Sequence, residues 1–378
     1  MLRVATVFGT RPEATKMAPV ILELRRRPNV EVVVISSGQH RELLPQTLAV
    51  FGLAADRDLA VMAAGQSLPA LTSRVLEGCA RLLPELAPDV VLVHGDTTTT
   101  MAAALAAFYC KVPVGHVEAG LRTGERYSPY PEEMNRLVAD RIADAHFAPT
   151  ALAAANLARE GVDPAGVFVT GNTGVDALLM VAGPRRRDAG RRLVLVEAHR
   201  RENLGPPMGR IARGVADLAA AMPEVDVVWS LHPNPQVQEP VRAALAETPR
   251  VRLIEPPDFQ TWAGWMARAD LLLTDSGGLQ EEAPALGLPV LILRDSTERP
   301  EVLSCGAGRL VGTDPDRIAA LGRHLLSDSA AYGAMAAAGS PFGDGRAALR
   351  TVDGLLYRLG ARSTPPQAFV SPGPAPPA

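Results

Sequence analysis

The chain has 378 residues, 47% hydrophobic and 21% charged, which suits a two-domain globular protein and excludes disorder or collagen-like repeats over most of its length. Basic residues number 38 and acidic residues 41, a formal net charge of −3, so no overall basic field exists to hold nucleic acid or anionic lipid. The three cysteines, Cys79, Cys110 and Cys305, form no CxxC pair, and their wide spacing reads as buried free thiols rather than a disulfide framework or structural zinc. The chain enters an apolar strand at once, without a charged leader, and has no 18-residue apolar run. The expectation is a reducing, cytoplasmic setting without a membrane segment. Lys16 and Lys111 are the only lysines among many arginines, which singles them out.

In chain order, short β-branched runs alternate with helical stretches. The first series of strand candidates is Leu2–Phe8, Val30–Ile35, Val90–Val93, Val112–Val117, His146–Ala148 and Val167–Thr170. The second is Leu193–Val196, Val225–Leu231, Val251–Ile254, Leu271–Thr274, Pro289–Leu293 and Arg309–Val311. Between them lie amphipathic or Ala-rich helices such as Ala103–Phe108, Arg136–Ala143, Met208–Ala221 and Ile318–Leu326. This alternation predicts α/β architecture with parallel sheets covered on both faces. Runs such as Val90-Val91-Leu92-Val93 lack alternation, as strands buried on both sides do. The polar segment Gly183–Asp188 is the candidate linker between two doubly wound halves. Six prolines and no periodicity after Leu359 predict a disordered or loosely attached tail.

In open parallel sheets ligands bind at the carboxyl ends of strands, so the residues after each strand carry the argument. The first strand is followed by Gly9-Thr10-Arg11-Pro12-Glu13 and a helix containing Lys16. Arg11 reads as a functional group or as a solvated turn residue. His94-Gly95-Asp96 and His116-Val117-Glu118 end two later strands, and each His-x-acid pair shares a face if the extended geometry continues. Asp96 alternatively caps the threonine-rich helix behind it. Glu132 and Glu133 suit the first turn of a helix whatever else they do. In the second half, Glu197-Ala198-His199-Arg200-Arg201-Glu202-Asn203 puts clustered charge directly after a strand. Asp275-Ser276-Gly277-Gly278 follows another, where small residues and a helix start suit an anion, with Glu282 about a turn further on. Arg294–Glu301 follows a third. No GxxxxGK[ST] is present, and the one G-x-G-x-x-[GA] match, Gly343–Ala348, follows a helix and loop, so no dinucleotide cofactor is inferred.

These blocks resemble the non-hydrolysing UDP-N-acetylglucosamine 2-epimerases of bacteria. The resemblance rests on Phe8–Ala14, Gln39–Glu42, Val93–Thr100, Val114–Arg122, Tyr127–Arg136, Gly171–Thr173, His199–Gly205, Thr274–Pro284 and Thr297–Glu301, in order along nearly the whole chain. It implies two Rossmann-like doubly wound domains facing across a cleft, the GT-B arrangement. The first would span residues 1–172, with a last helix near 345–359 packing back on it. The second, UDP-binding domain would span 173–344, leaving 360–378 as the tail. A homodimer, a UDP-sugar substrate, no cofactor, no metal and a place in cell-surface polysaccharide biosynthesis are also implied. Carried over by motif, Ser276, Gly277 and Gly278 would hold phosphate and Glu282 the ribose. Arg11, Lys16, His199 and Arg299 would line the pyrophosphate and sugar side. Asp96, Glu118 and Glu132 match the family's catalytic carboxylates, and His199 its catalytic histidine. Trp262, by spacing from Ser276, would pack on the uracil.

Two departures stand out. Glu197 occupies a position usually small or hydroxylic, and faces either towards or away from the pocket of His199. Some members are activated by UDP-N-acetylglucosamine through the block matching Gln39 and His40, but an assisting arginine aligns here with Gly65. The implied chemistry inverts C2 of a sugar by elimination of UDP to 2-acetamidoglucal and re-addition. Which carboxylate is base and which is acid stays open. The rivals are a GT-B glycosyltransferase, a hydrolysing epimerase, a phosphoesterase with metal on His94, Asp96, His116 and Glu118, and a non-catalytic UDP-sugar sensor.

Overall fold

The computed structural model describes residues 1–39, 43–63, 65–186 and 190–373. The chain divides into two compact units, Met1–Ala177 with Gly343–Val370, and Leu178–Phe342 with the described residues from Ser371. The division falls inside helix Thr173–Ala182, ahead of Gly183–Asp188 where a linker was expected.

The first unit holds strands β1 (Leu2–Phe8), β2 (Val30–Ser36), β3 (Arg57–Asp58), β4 (Val90–His94), β5 (Val114–Val117), β6 (Ala145–Ala148) and β7 (Val167–Val169). All pairings are parallel, in the order β3-β2-β1-β4-β5-β6-β7. The pleat sends Val4 and Phe8 to one core, with Leu92, Met17 and Ile21, and sends Ala5 and Val7 to another, with Val91, Val93, Ala103 and Ala106. Two cores are why these strands read as unbroken apolar runs. The run missed in the sequence is β3, two exposed residues without an apolar signal. Helix Glu132–Ile142 starts a turn earlier than Arg136, because the acidic first turn carries no apolar periodicity.

The second unit holds β8 (Arg192–Glu197), β9 (Val225–Ser230), β10 (Val251–Ile254), β11 (Leu271–Thr274), β12 (Val290–Ile292) and β13 (Gly308–Leu310). They pair in parallel in the order β10-β9-β8-β11-β12-β13. Trp229, Ile211, Leu218 and Leu273 lie in its buried core. In both sheets the strand order reverses between two neighbours, β1 and β4 in one, β8 and β11 in the other. Such switch points open a crevice at the strands' carboxyl ends. The turns and helix starts there are 9–13, 95–97, 198–203 and 275–278.

The described residues after Leu359 include one anchored aromatic, Phe369. Helix Ala347–Arg358 belongs to the first unit, where Arg27 Nη2 pairs with Asp353 Oδ1 at 3.0 Å. Beyond it, Phe369 is buried, donates its N–H to Val169 O at 2.8 Å, and lies under the Arg350 guanidinium. The prolines disguise an anchored aromatic. No helix among the described residues is long and apolar enough to cross a membrane.

Buried Asp176 caps helix Ala347–Arg358, accepting from Ala348 N at 2.8 Å and Ala347 N at 3.1 Å. Asp176→Ala is expected to cost about 1–2 kcal/mol, measured by urea unfolding. Burial raises the carboxyl's pKa to about 6. A raised carboxyl binds more protons folded than unfolded, so its contribution is fullest below the unfolded value and fades as pH rises through about 6. The stability difference between wild type and Asp176→Asn should therefore move in favour of wild type as pH falls from about 7 to about 5.

Candidate functional site

In the first unit, Thr10 and Glu13 form a capping box at the start of helix Arg11–Arg25. The Glu13 carboxylate is buried and accepts from Gly9 N (3.1 Å), Thr10 N (2.8 Å), Thr10 Oγ1 (2.7 Å) and Thr97 Oγ1 (2.7 Å). Burial raises its pKa, against those hydrogen bonds. It joins the turns after β1 and β4, with Arg11 half-buried at the helix entrance. The T-x-x-E spacing was the signal that could have revealed it.

Glu118 lies at the end of β5 with φ +67°, a left-handed conformation uncommon for a residue with a side chain. That reversal ends the extended geometry on which the His-x-acid pairing depended, and the partners are exchanged. Glu118 Oε2 pairs with Lys16 Nζ, accepts from Asn172 Nδ2 at 2.7 Å and lies 3.9 Å from His94 Nε2. His116 turns instead to Asp140, 2.6 Å away. Asp96 Oδ2 accepts from Arg136 Nη2 at 2.6 Å, and its carbonyl from Asn135 Nδ2 at 2.9 Å. Thr97, not Asp96, caps helix Thr98–Tyr109. His94, Asp96, His116 and Glu118 therefore do not converge as a ligand set, which removes the basis of the phosphoesterase reading.

The electrostatics separate these groups. Burial works against the Glu118 charge, but Lys16, His94 and Asn172 overcome it and bring its pKa down to about 2. Burial lowers the His94 pKa to about 4, so that ring is neutral at physiological pH. Glu132 is half-buried at the start of helix Glu132–Ile142, one turn before Arg136, and makes no ion pair among the described residues. Gln39 Oε1 accepts from Thr99 Oγ1 at 3.2 Å. His40 lies outside the described residues.

In the second unit, Asp275 organises the switch-point loop. It is fully buried and accepts from His199 N (3.0 Å), Arg200 N (2.9 Å) and Asn203 Nδ2 (2.8 Å), which ties the turn after β8 to the end of β11. Burial raises its pKa. Glu197 faces His199: its Oε1 is 2.5 Å from His199 Nδ1, and its Oε2 accepts from Thr274 Oγ1 at 3.3 Å. The hydrogen bond to Glu197 leads in raising the His199 pKa, against burial. The His232 ring stacks on that of His199, 5.4 Å between centroids. Glu197, His199 and Asp275 can bring three ligand atoms within 4.8 Å of one another. The carboxylates already serve the histidine, the loop N–H groups and Asn203, so the donor set fits a hydrogen-bonded cluster better than a cation site.

Ser276 stands at the N-cap of helix Gly277–Glu282 without a side-chain cap bond, and the first N–H groups of the helix lack intrahelical partners. A Cβ placed on Gly277 would lie 3.2 Å from Arg299 Cζ, 3.3 Å from Glu298 Oε1 and 3.4 Å from Arg200 Nη2. Arg299 is aimed by Glu281, at 2.7 Å, and Arg294 pairs with Glu298 at 2.5 Å. Burial opposes the Glu298 charge, but Arg299 and Arg294 outweigh it and lower its pKa. Guanidinium groups thus crowd the first turn of the helix. Glu282 ends that helix half-buried, and Trp262, on helix Phe259–Arg268, lies half-buried 6.2 Å from the Trp265 ring. The structure joins Lys16 with Glu118 and Gly277 with Arg299. Sequence reading did not single out Glu13, Asp140, Asn172, His232, Asp275 or Glu298, whose side chains contact these groups.

The sequence profile of the UDP-N-acetylglucosamine 2-epimerases matches residues 22–356. The chain belongs to that family. It is 46% identical over 374 residues to the UDP-N-acetylglucosamine 2-epimerase of Bacillus subtilis, covering 97% of this chain and 98% of that protein. The crystal structure of the Neisseria meningitidis UDP-GlcNAc 2-epimerase bound to UDP-GlcNAc is similar at TM-score 0.85 and 44% identity, covering 94% of this chain and 100% of that one. The Methanocaldococcus jannaschii UDP-GlcNAc 2-epimerase, in complex with UDP-GlcNAc and UDP, is similar at TM-score 0.77 and 31% identity, covering 94% and 100%. The family's two parallel-sheet α/β units are the architecture described above.

Proposed function

We propose that this chain interconverts UDP-N-acetylglucosamine and UDP-N-acetylmannosamine without hydrolysis, in the cytoplasm and as a homodimer. The observation that carries the chemistry is Glu118, a carboxylate held ionised beside Lys16 at the end of the strand next to the one that leads into Asp96. The C2–H bond of the sugar is not adjacent to a carbonyl, so a carboxylate by itself cannot remove its proton. Breaking the anomeric bond first solves this. UDP departs with the C1–O electron pair and leaves an oxocarbenium-like C1. A carboxylate takes the C2 proton, and the C–H electrons become the C1=C2 bond of 2-acetamidoglucal. Return of a proton to the opposite face and re-addition of UDP complete the inversion.

The roles follow from the surroundings. Glu118 supplies fixed negative charge for the cationic centre, which its low pKa suits better than accepting a proton. Asp96 and Glu132 exchange protons with C2. The Gly277 and Gly278 N–H groups with Ser276, Arg200 and Arg299 hold the diphosphate, Glu282 the ribose and Trp262 the uracil. His199, whose pKa Glu197 raises, stabilises departing UDP, and Arg11 and Lys16 serve the phosphate and sugar. The relatives solved with UDP-GlcNAc support the substrate class.

Epimerisation in heavy water tests this reading. Deuterium is expected at C2 of the product, with slow leakage of UDP and 2-acetamidoglucal, and no added nicotinamide is needed. Full retention of protium at C2 overturns the elimination. Free N-acetylmannosamine as the main product points to a hydrolysing enzyme, and dependence on an acceptor to a glycosyltransferase.

A further inference from the structure

His116 on β5 is completely buried, and both its ring nitrogens are engaged. Nδ1 lies 2.6 Å from Asp140 Oδ1 and Nε2 lies 2.7 Å from Gly95 O. A carbonyl oxygen only accepts, so Nε2 carries a proton. Asp140 Oδ2 already accepts from Arg122 Nη2 at 2.7 Å and Gly120 N at 3.2 Å, which favours the carboxylate, so Nδ1 carries a proton too. A ring that donates from both nitrogens is an imidazolium.

The bonds of this pair reach the backbone beside two of the candidate carboxylates, Asp96 and Glu118. Gly95, gripped through its carbonyl, immediately precedes Asp96 and has φ +68°. Gly120, gripped through its N–H, lies two residues beyond Glu118 and has φ +84°. Asp140 is on helix Glu132–Ile142, which also carries Glu132 and holds Asp96 through Asn135 and Arg136. We propose that the buried His116–Asp140 ion pair is a positioning device that sets Asp96 and Glu118 against each other and against Glu132. The proposal deepens the epimerase reading and rests on it where it calls those carboxylates active.

The groups facing His116 agree with its charge. Burial and Arg122 oppose it, and Asp140 with the Gly95 carbonyl outweighs them. Nearby His94 has its pKa lowered to about 4 by burial. His146, opposite in register on β6, also has its pKa lowered by burial, and its Nε2 bonds Asp140 O at 2.8 Å. Asp140 resists burial through His116 and Arg122, with a pKa of about 2.

The test uses the full chain. Nitrogen-15 spectra of wild type at about pH 8, where an unperturbed histidine is mostly neutral, should show both His116 ring nitrogens protonated. A neutral-tautomer signal there overturns the charge assignment whatever the activity. Asp140→Asn should lower kcat by about tenfold to a hundredfold, with KM and UDP affinity within about twofold. Its kcat should also gain an alkaline decline that wild type lacks, as His116 titrates without its counter-ion. Unchanged kcat and pH profile in folded Asp140→Asn overturn the positioning role. If that variant does not fold, His116→Gln supplies the same kcat comparison, since its amide can still donate to Gly95. Wild type without epimerase turnover would sink the functional reading instead, and the spectra would still decide the state of His116.

Discussion

Replacing Glu118 by glutamine is expected to lower epimerase turnover by about a hundredfold to a thousandfold while UDP still binds. The substitution keeps the shape and an oxygen to accept from Asn172, but removes the charge that faces Lys16 and, in the proposed reaction, C1 of the sugar. The carboxyl pKa of about 2 means that wild-type Glu118 does not titrate through the working range. A pH dependence of kcat near neutrality should accordingly come from other groups. A carboxyl whose folded pKa is depressed contributes stability above the unfolded value and loses it as pH falls through about 2. Glutamine forfeits that contribution and removes the ion pair with Lys16, so stability must be measured alongside rate. Turnover within about tenfold of wild type, in a variant that unfolds at the same urea concentration, would remove Glu118 from the chemistry.

The second large effect concerns the diphosphate. Gly277→Val should weaken UDP binding by at least about a hundredfold, read by calorimetry. Gly277 is not among the glycines with positive φ, so a side chain meets no backbone penalty there. What it meets is the ring of Arg299, Glu298 and Arg200 at 3.2 to 3.4 Å from its Cβ, and valine adds two methyl groups beyond that point. Losing two hydrogen bonds to a charged phosphate, at about 1.5–3 kcal/mol each, accounts for that factor or more. Gly277→Ala should be milder, about tenfold, because Arg299 can yield a few tenths of an ångström. Unchanged UDP affinity in folded Gly277→Val would place the phosphate elsewhere.

By itself the sequence determined the architecture and the family. Unbroken β-branched runs separated by helical stretches prescribe parallel sheets buried on both faces, because a strand under two helix layers has no side for polar residues. Strand-end glycines, histidines and acids were legible because ligands of such sheets gather at strand ends. Tertiary structure decided which side chains meet. Strand order places the ends of β1 and β4, and of β8 and β11, side by side, although they are far apart in sequence. Backbone reversals at Gly95 and Glu118 then undid the pairing that the His-x-acid spacing suggested. Lys16 meets Glu118, and His116 meets Asp140, across long stretches of chain. Local patterning cannot encode such partners, since hydrogen bonds between strand-end loops depend on how the sheet is ordered and not on sequence spacing. The same holds for Asp275, whose burial between two loops is invisible in Thr274-Asp275-Ser276, and for Phe369, an aromatic whose anchoring to β7 no periodicity announces.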